Sequence, residues 1–585
     1  MASNTIESSN NEMNWRDYLP FTDWLLNYKR ENLTGDVIAG VIVAVMLVPQ
    51  SMAYALLAGL PPQVGLYASI VPLIIYGLLG TSRSLAVGPV AMVSLLVASG
   101  IAALEPATTA DYVALAITLA FMVGVIQMLM GLLRIGFLVN FLSHPVLSGF
   151  TSAAALVIGF SQLKHLLGFN IPRTEHFHEI LVYAGQNITQ TNPVVLGIGI
   201  VGIVILLFFK FGLSKQLKKS GLSNAIVTPL TKIGPLIIVL FGIIVVSVLG
   251  LDASANVSIV GAVPGGLPPI TRPLLSLEAI QSLMPIALTI GVVSYMESIS
   301  VAKSLASKKR QKVDANQELI ALGAANLGAS VTGGYPVTGG FARSMVNFTA
   351  GANTGLASII TAGLITITAI FLTPLFYYLP QAILAAIIVV AVSSLVDVKA
   401  FLHAWEYSKS DALSLLVTFF AVLELGIETG ILLGAVVSLV LYLWHTSRPH
   451  IAIVGRIGES EEYRNVLRHE TTTFPHILAI RVDESLYFPN AQYLEQYILE
   501  QVADHPDVTK FVLVCSAVNF IDTSALEVLE EIHHRLSENE IEFYMSEVKG
   551  PVMDRLEKIG FVEQLGKDHF FLTTHEACET LRQSA

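Results

Sequence analysis

Apolar stretches long enough to cross a bilayer dominate the first 446 residues of this 585-residue chain. A helix that spans the hydrocarbon core needs about 20 consecutive apolar residues. The stretches therefore predict a polytopic α-helical membrane protein. They lie at residues 37–59, 65–80, 112–133, 144–167, 193–211, 235–250, 285–303, 317–331, 355–374, 378–395, 410–425 and 429–446.

Two shorter apolar stretches, 90–104 and 342–350, begin directly after glycine-rich breaks. Their length and their starts predict half-helices that begin inside the membrane. Irregular backbone is tolerated at membrane depth only where protein or a wet cavity surrounds it. Together with the twelve longer stretches they give fourteen elements, so both ends of the chain are expected on the same side.

Clusters of lysine and arginine indicate which side that is, because cytoplasmic loops of membrane proteins are enriched in these residues. Both clusters follow even-numbered spans, whereas the odd-side loops are poor in basic residues. We therefore expect a cell-membrane protein with both termini in the cytoplasm. The clusters are Lys215, Lys218, Lys219 and Lys232, and Lys303, Lys308, Lys309, Arg310 and Lys312.

Composition excludes several classes of function. Only 13% of the residues are charged, against about 25% in soluble domains, and the net charge of -11 argues against a nucleic-acid partner. Cys515 and Cys578, the only cysteines, make neither a disulfide framework nor a metal cluster. We expect no metal, no cofactor and no enzymatic activity, and no phosphate-binding GxxxxGK[ST] loop occurs.

A change in composition marks a second domain. After Arg448 charges become frequent, residues 476–488 and 510–518 have strand patterns, and 523–537 and 551–560 have helix patterns. Alternating strands and helices predict a small α/β domain. The predicted divisions are a cytoplasmic N-terminal segment at 1–36, a transmembrane transport domain at 37–447, and the α/β domain at 448–585.

The first apolar stretch contains a proline that interrupts the helix, together with nearby polar side chains. Pro49 breaks the helix pattern, and Gln50 and Tyr54 lie one turn apart on a single face. This pair is compatible with a ligand contact, and equally with a proline kink whose polar residues touch a neighbouring helix.

Both half-helices begin with glycine-led breaks in corresponding places of the two halves of the chain. Gly88 and Pro89 precede the first, and Gly339 and Gly340 precede the second, which carries Arg343 in its first turn. Interrupted segments in matching positions indicate a transporter binding site, and helix N-termini attract anions. The alternatives are a packed re-entrant turn for the first break, and an arginine that reaches the membrane surface for the second.

Glu297 lies well inside a predicted span. A carboxylate at that depth needs a partner or a proton. Glu297 and Arg343 in one cavity would suit proton-coupled anion movement, and a static ion pair between two helices is the alternative.

The motifs PQSMAYALLAGLPP, GLYASIVP, GTSRSLAVGPVAMVSLL and NQELIALGAANLGASVTGGYPVTGGFARSMVN closely resemble those of the SulP (sulfate permease) anion transporters along nearly the whole chain. The resemblance implies a seven-plus-seven inverted repeat of fourteen transmembrane segments, divided into core and gate domains. It also implies a cytoplasmic STAS domain, homodimers within membrane lipid, and elevator-type transport.

Carried over by motif, the anion pocket would involve six residues, and Glu297 would be the proton-coupling carboxylate. Where many members have a serine before the arginine, this chain has Ala342, which removes one hydroxyl donor. The six residues are Gln50, Tyr54, Val90, Ala91, Ala342 and Arg343.

The segment NFIDTSALEVL, residues 519–529, resembles the STAS signature. In bacterial anti-sigma antagonists a serine of that motif is phosphorylated, which makes Thr523 and Ser524 candidate regulatory phosphosites. An ordinary helix N-cap is the alternative.

These observations together predict a secondary active transporter of inorganic anions, with proton-coupled sulfate uptake favoured. Sodium-coupled bicarbonate or dicarboxylate transport and anion exchange remain alternatives within the same family. A membrane-embedded enzyme or sensor is a third class.

Overall fold

A computed structural model describes residues 19–137, 143–171, 177–220, 227, 230–231 and 233–583. Residues 1–18 of the predicted N-terminal segment and Lys232 of the first basic cluster lie outside this part, as do the side chains of Lys215 and Lys218. The chain divides into two compact units, Met1–Ser438 and Leu439–Ala585. This division falls within the last apolar helix, Ile427–Thr446, so the predicted boundary after residue 447 stays a prediction.

The helices of the first unit follow the predicted apolar stretches closely, and each of the fourteen predicted segments corresponds to helical structure. Among the described residues, eight helices are long and apolar enough to cross a membrane. The main helices are Arg30–Leu57, Pro62–Tyr67, Val71–Leu79, Ala91–Ala102, Thr109–Leu132, His144–Ser161, Leu163–Leu167, Pro193–Leu207, Gly234–Leu249, Leu277–Lys308, Ala315–Val331, Phe341–Thr349, Leu356–Ile367, Gln381–Val392, Lys409–Leu425 and Ile427–Thr446.

Additional helices were not predicted from the apolar pattern because they are short or amphipathic, with a polar face that interrupts the hydrophobic run. They are Phe21–Leu26, Phe177–Gln186, Ser214–Lys219, Leu251–Ser254 and Val398–Tyr407.

Close packing of two helices supports the region of the breaks. A Cβ atom at Gly124 would lie 2.9 Å from the carbonyl oxygen of Gly323, and a Cβ atom at Gly323 would lie 2.8 Å from that of Gly124. Helices Thr109–Leu132 and Ala315–Val331 therefore touch main chain to main chain, as small residues allow in membrane proteins.

Two short, buried strands pair within the first unit. Strand β1 (Val87–Gly88) pairs antiparallel with β2 (Thr338–Gly339), with Val87 opposite Gly339 and Gly88 opposite Thr338. We call the helices that follow them the first half-helix (Ala91–Ala102) and the second half-helix (Phe341–Thr349). The pairing joins the two predicted breaks, and it gives hydrogen-bond partners to peptide groups that would otherwise be buried without any.

The second unit contains an α/β fold, the class predicted for residues 448–585. Its sheet has the strand order β4-β3-β5-β6-β7-β8, in which β5 to β8 are parallel and β3 pairs antiparallel with both β4 and β5. The strands are β3 (Ile451–Arg456), β4 (Tyr463–Asn465), β5 (Ile477–Val482), β6 (Lys510–Val514), β7 (Glu542–Ser546) and β8 (Phe570–Phe571). The helices are Phe488–Asp504, Thr523–Glu538, Gly550–Lys558, Phe561–Leu565 and Thr574–Gln583.

Candidate anion-binding site

The starts of the two half-helices lie near each other, at opposite ends of the antiparallel pair, because β1 and β2 pair directly before them. Val90 and Gly340 are the N-cap residues, and within the described chain no side chain caps either helix. The first amide groups of a helix have no acceptor inside it, and an uncapped end carries roughly half a positive charge. Two such ends at one place make a region that favours an anion.

Arg343 joins the two breaks through main-chain carbonyl groups. Its Nε donates to Ala86 O at 2.9 Å, and its terminal nitrogens donate to Pro89 O at 2.5 Å, Gly88 O at 2.7 Å and Thr338 O at 2.9 Å. An arginine has five N–H groups, so four of them hold the backbone. The side chain is 2% exposed, and these contacts keep it at the breaks, contrary to the alternative in which it reaches the membrane surface.

The guanidinium group occupies space that two glycines leave. A Cβ atom at Gly340 would lie 3.1 Å from Arg343 Cζ, and one at Gly88, where φ is +152°, would lie 3.6 Å from it. Gly88 also has a backbone conformation that L side chains rarely adopt. The glycines in the breaks therefore serve both the turn and the arginine.

The helix Arg30–Leu57 contributes the polar face predicted around Pro49. Met46, one turn before Gln50, packs with Ala86 and Val346 of the two breaks, and Gln50 and Tyr54 continue the same face. Both residues are buried, and within the described chain neither side chain makes a hydrogen bond. Tyr54 lies within electrostatic range of Arg343 and Glu297, which brings three of the predicted residues together.

Glu297 lies in the helix Leu277–Lys308, and its Oε2 atom is buried without a hydrogen-bond partner. Glu297 and Arg343 interact electrostatically, yet they form no salt bridge in the described chain, since the arginine donates to carbonyl groups instead. The static ion pair considered from the sequence is therefore absent from this arrangement. A buried carboxylate oxygen with no partner is a place for a proton or a water molecule.

The remaining pocket residues differ in exposure. Val90 and Ala91 at the start of the first half-helix are buried, whereas Ala342 in the first turn of the second half-helix is exposed. An exposed alanine at the start of a buried half-helix borders open space. The side chain of Ala342 is a methyl group, so it offers that space no hydrogen-bond donor.

A polar network holds β2 in place. Thr338 Oγ1 donates to Ser294 O at 2.7 Å and lies 2.7 Å from Ser298 Oγ, which accepts from the Gly339 amide at 2.8 Å. Asn326 accepts from the Val337 amide at 2.8 Å and donates to the carbonyl of the same residue at 3.1 Å. The helix that carries Glu297 thus supports the second break directly.

Two buried carboxylates that were not predicted from the sequence hold the segments that flank the two breaks. Glu318, fully buried, accepts from Tyr76 Oη at 2.7 Å and from the Thr81 amide at 2.8 Å. Asp36, also fully buried, accepts from the amides of Asn353 and Thr354 at 2.7 and 3.0 Å. Both residues lie near the ends of apolar stretches. A charged residue there is expected simply because the membrane span ends, so the apolar pattern did not indicate that these two are buried.

Tyr335 was also missed, although it stands within the second break. Its hydroxyl lies 2.9 Å from Ser94 Oγ of the first half-helix, and it is fully buried. Tyr335 thus adds a contact between the second break and the first half-helix, and it lies within electrostatic range of Arg343. An aromatic residue between glycines was the available signal.

Thr523 and Ser524 belong to the second unit and open the helix Thr523–Glu538. Its N-cap is Asp522, whose carboxylate accepts from the Ala525 amide at 2.8 Å and from the Phe488 amide at 2.8 Å. The capping role considered for the two hydroxyl residues is therefore carried by Asp522. Thr523 and Ser524 are exposed, and phosphorylation at either stays a prediction.

The two paired breaks, with uncapped half-helix ends inside a polytopic helical unit, define a membrane transporter of the broken-helix class. The sulfate permease family matches residues 33–418, and the STAS domain matches residues 468–577. The chain belongs to the sulfate permease family, which is a family of transporters and not of enzymes.

Relatives extend the likeness over nearly the full length. The sequence is 38% identical to the chloroplastic sulfate transporter 4.1 of Arabidopsis thaliana, over 98% of this chain and 84% of the relative. It is 32% identical to the high affinity sulfate transporter 2 of Stylosanthes hamata, over 96% of this chain and 86% of the relative.

Solved structures show the same fold. The murine anion transporter Slc26a9 in its inward-facing state superposes with a TM-score of 0.90 at 24% identity, covering 100% of this chain and 97% of that one. The transmembrane domain of the cyanobacterial bicarbonate transporter BicA gives a TM-score of 0.58 at 22% identity, covering 70% of this chain and 98% of that one. The predicted fold class, a helical membrane unit of the seven-plus-seven type followed by a STAS domain, is confirmed.

Proposed function

We propose that this protein is a secondary active transporter that takes up sulfate together with protons. The relatives that it resembles over nearly the full chain bear the name sulfate transporter, and that name supports sulfate as the cargo. We further propose that it works in a cell membrane as a homodimer, with an elevator-type movement of the core domain and with both termini in the cytoplasm.

The observation that carries the proposal is the meeting of two uncapped half-helix starts beside Arg343. In this proposal the main-chain amides at Val90, Ala91 and Ala342 bind the anion, and Gln50 and Tyr54 close the pocket as donors. Arg343 supplies charge to the site while its N–H groups hold the breaks together. A divalent anion gains most from this concentration of positive potential.

Proton coupling rests on Glu297. Its unpartnered buried oxygen is costly to leave charged, and a nearby anion raises that cost further. We infer that Glu297 binds a proton when sulfate enters and releases it when sulfate leaves. When sulfate and a proton bind together, the net charge of the pocket changes by less than it would if sulfate bound alone.

Substitution Glu297→Gln tests this coupling. The amide resembles the protonated carboxyl group, so we expect purified protein in liposomes to keep sulfate binding and lose uptake driven by an inward proton gradient. Glu278→Gln is the matched control because Glu278 lies on the same helix and is exposed. Uptake of labelled sulfate that stays proton-driven in the Glu297 variant would overturn the assignment.

A competition assay identifies the transported anion. Uptake of labelled sulfate is measured while unlabelled sulfate, bicarbonate or succinate is added at two external pH values, in sodium medium and in potassium medium. Displacement by sulfate alone, independent of sodium and stronger at low pH, is expected. Sodium-dependent displacement by bicarbonate, or displacement by succinate, would assign the protein to the other cargo and reject sulfate symport.

A further inference from the structure

A cavity of about 690 Å³ lies in the first unit, apart from the start of the half-helices. It is lined by the ends of the helix Arg30–Leu57 and of the first half-helix, and by the short helix Leu163–Leu167. At about 30 Å³ per water molecule this volume holds roughly twenty waters. It is large enough for an anion that keeps its hydration shell.

The inner end of the cavity approaches the proposed pocket. Leu95 lines it and lies four residues after Ala91, and Leu57 lines it three residues after Tyr54. With a rise of about 1.5 Å per residue, each distance is about one helical turn. An ion in the cavity is therefore one short step from the half-helix starts.

The charge of the lining favours anions. Lys164 lines the cavity, with the imidazole of His165 beside it as a polar group, and none of the described lining residues is aspartate or glutamate. Ser99 and Gln162 add polar groups to the same wall. Lys164 has a further interaction of its own, and its positive charge nonetheless adds to the potential inside the cavity.

Lys164 follows the helix His144–Ser161, near the end of the predicted span 144–167, where a lysine can keep its charged group in water. Low-dielectric walls lined by one sign of charge concentrate the field and raise the local concentration of the opposite ion. We propose that this cavity is a second anion-binding site, in which Lys164 holds hydrated sulfate before it passes to the half-helix starts. The inference rests on the proposed function, since it takes sulfate as the cargo.

Kinetics of sulfate uptake test the role of Lys164. In Lys164→Gln we expect KM to rise on the order of fivefold, as the loss of one nearby charge predicts, while the maximal rate changes less than twofold. Arg272→Gln removes one charge from an exposed position that does not line the cavity, and its KM should equal that of the natural protein. An unchanged KM in Lys164→Gln contradicts the proposal.

A labelling experiment measures occupancy directly. Thr429 lines the cavity, and both natural cysteines are buried, so Thr429→Cys supplies an accessible thiol while Lys164 is kept. Sulfate should slow the reaction of this thiol with an anionic thiosulfonate reagent, and should do so much less when Lys164→Gln is also present. Equal labelling rates with and without sulfate would reject the second site.

The outcomes separate the two proposals. If the natural protein moves no sulfate in liposomes, the proposed function fails. If it moves sulfate while KM and labelling are unaffected by Lys164→Gln, only the second site fails.

Discussion

Arg343 is the residue at which chemistry and architecture meet. Three of its four acceptors, Ala86, Gly88 and Pro89, lie more than 250 residues away in the chain. The charge and its position in the first turn of a half-helix were predicted from the sequence. The acceptors could not be predicted, because every residue has a main-chain carbonyl group whatever its side chain.

Substitution Arg343→Lys separates charge from geometry. Lysine keeps the charge but lacks the planar fork, so buried carbonyl groups lose their donors at a cost of about 1–3 kcal/mol each. We expect sulfate uptake to fall more than tenfold and the thermal midpoint of the purified protein to decrease. Arg272→Lys, at an exposed position, should change neither, and full transport by Arg343→Lys would show that charge alone suffices.

At the scale of elements, the paired strands and the half-helices were only partly predictable from the sequence. The glycine-rich breaks and the apolar runs after them predicted both half-helices, whose observed bounds begin within one residue of the expected 90 and 342. The pairing of Val87 with Gly339 depends on where two distant segments lie in space. Glu318 and Asp36 escaped notice for the same reason, since their acceptor role exists only after the helices pack.

Substitution Gly340→Ala tests the fit of the second break. The backbone φ of -92° permits alanine, but the new methyl group would lie 3.1 Å from Arg343 Cζ and Nε. The arginine must shift, and we expect a loss of about 1–3 kcal/mol in unfolding free energy, together with weaker sulfate binding.

Gly363→Ala is the matched control for this change. Gly363 lies inside the helix Leu356–Ile367, and no atom of a neighbouring element lies within 4 Å of the place that the new methyl group would take. Alanine favours a helix more than glycine does by about 1 kcal/mol, so the control should be neutral or stabilising in a thermal denaturation assay. Equal stability of the two variants would argue against the steric explanation.

At the scale of the whole molecule, the order of the segments and domains was more predictable from the sequence than their boundaries. The fourteen segments and the α/β domain follow from hydrophobic runs and from the change in composition after Arg448, which are local signals. Orientation in the membrane depends on loop charges alone and is open to direct test.

Accessibility of single cysteines tests the orientation. Ala262 follows the seventh predicted span (235–250), Lys308 follows the eighth (285–303), and both are exposed. With the natural cysteines buried, a membrane-impermeant thiol reagent added to intact cells should label Ala262→Cys and spare Lys308→Cys until the membrane is permeabilised. The reverse pattern would place the termini outside.

The frame that joins the two half-helices is built from peptide groups, from β1 and β2 to the carbonyl acceptors of Arg343. Peptide groups are the same in every residue, so this frame tolerates exchanges at neighbouring positions that leave the backbone path intact. Residue 342, which is exposed, can then vary in size and polarity without loosening the assembly. A lineage of such proteins could change its cargo through one or two substitutions at the rim, and retain everything that holds the transporter together.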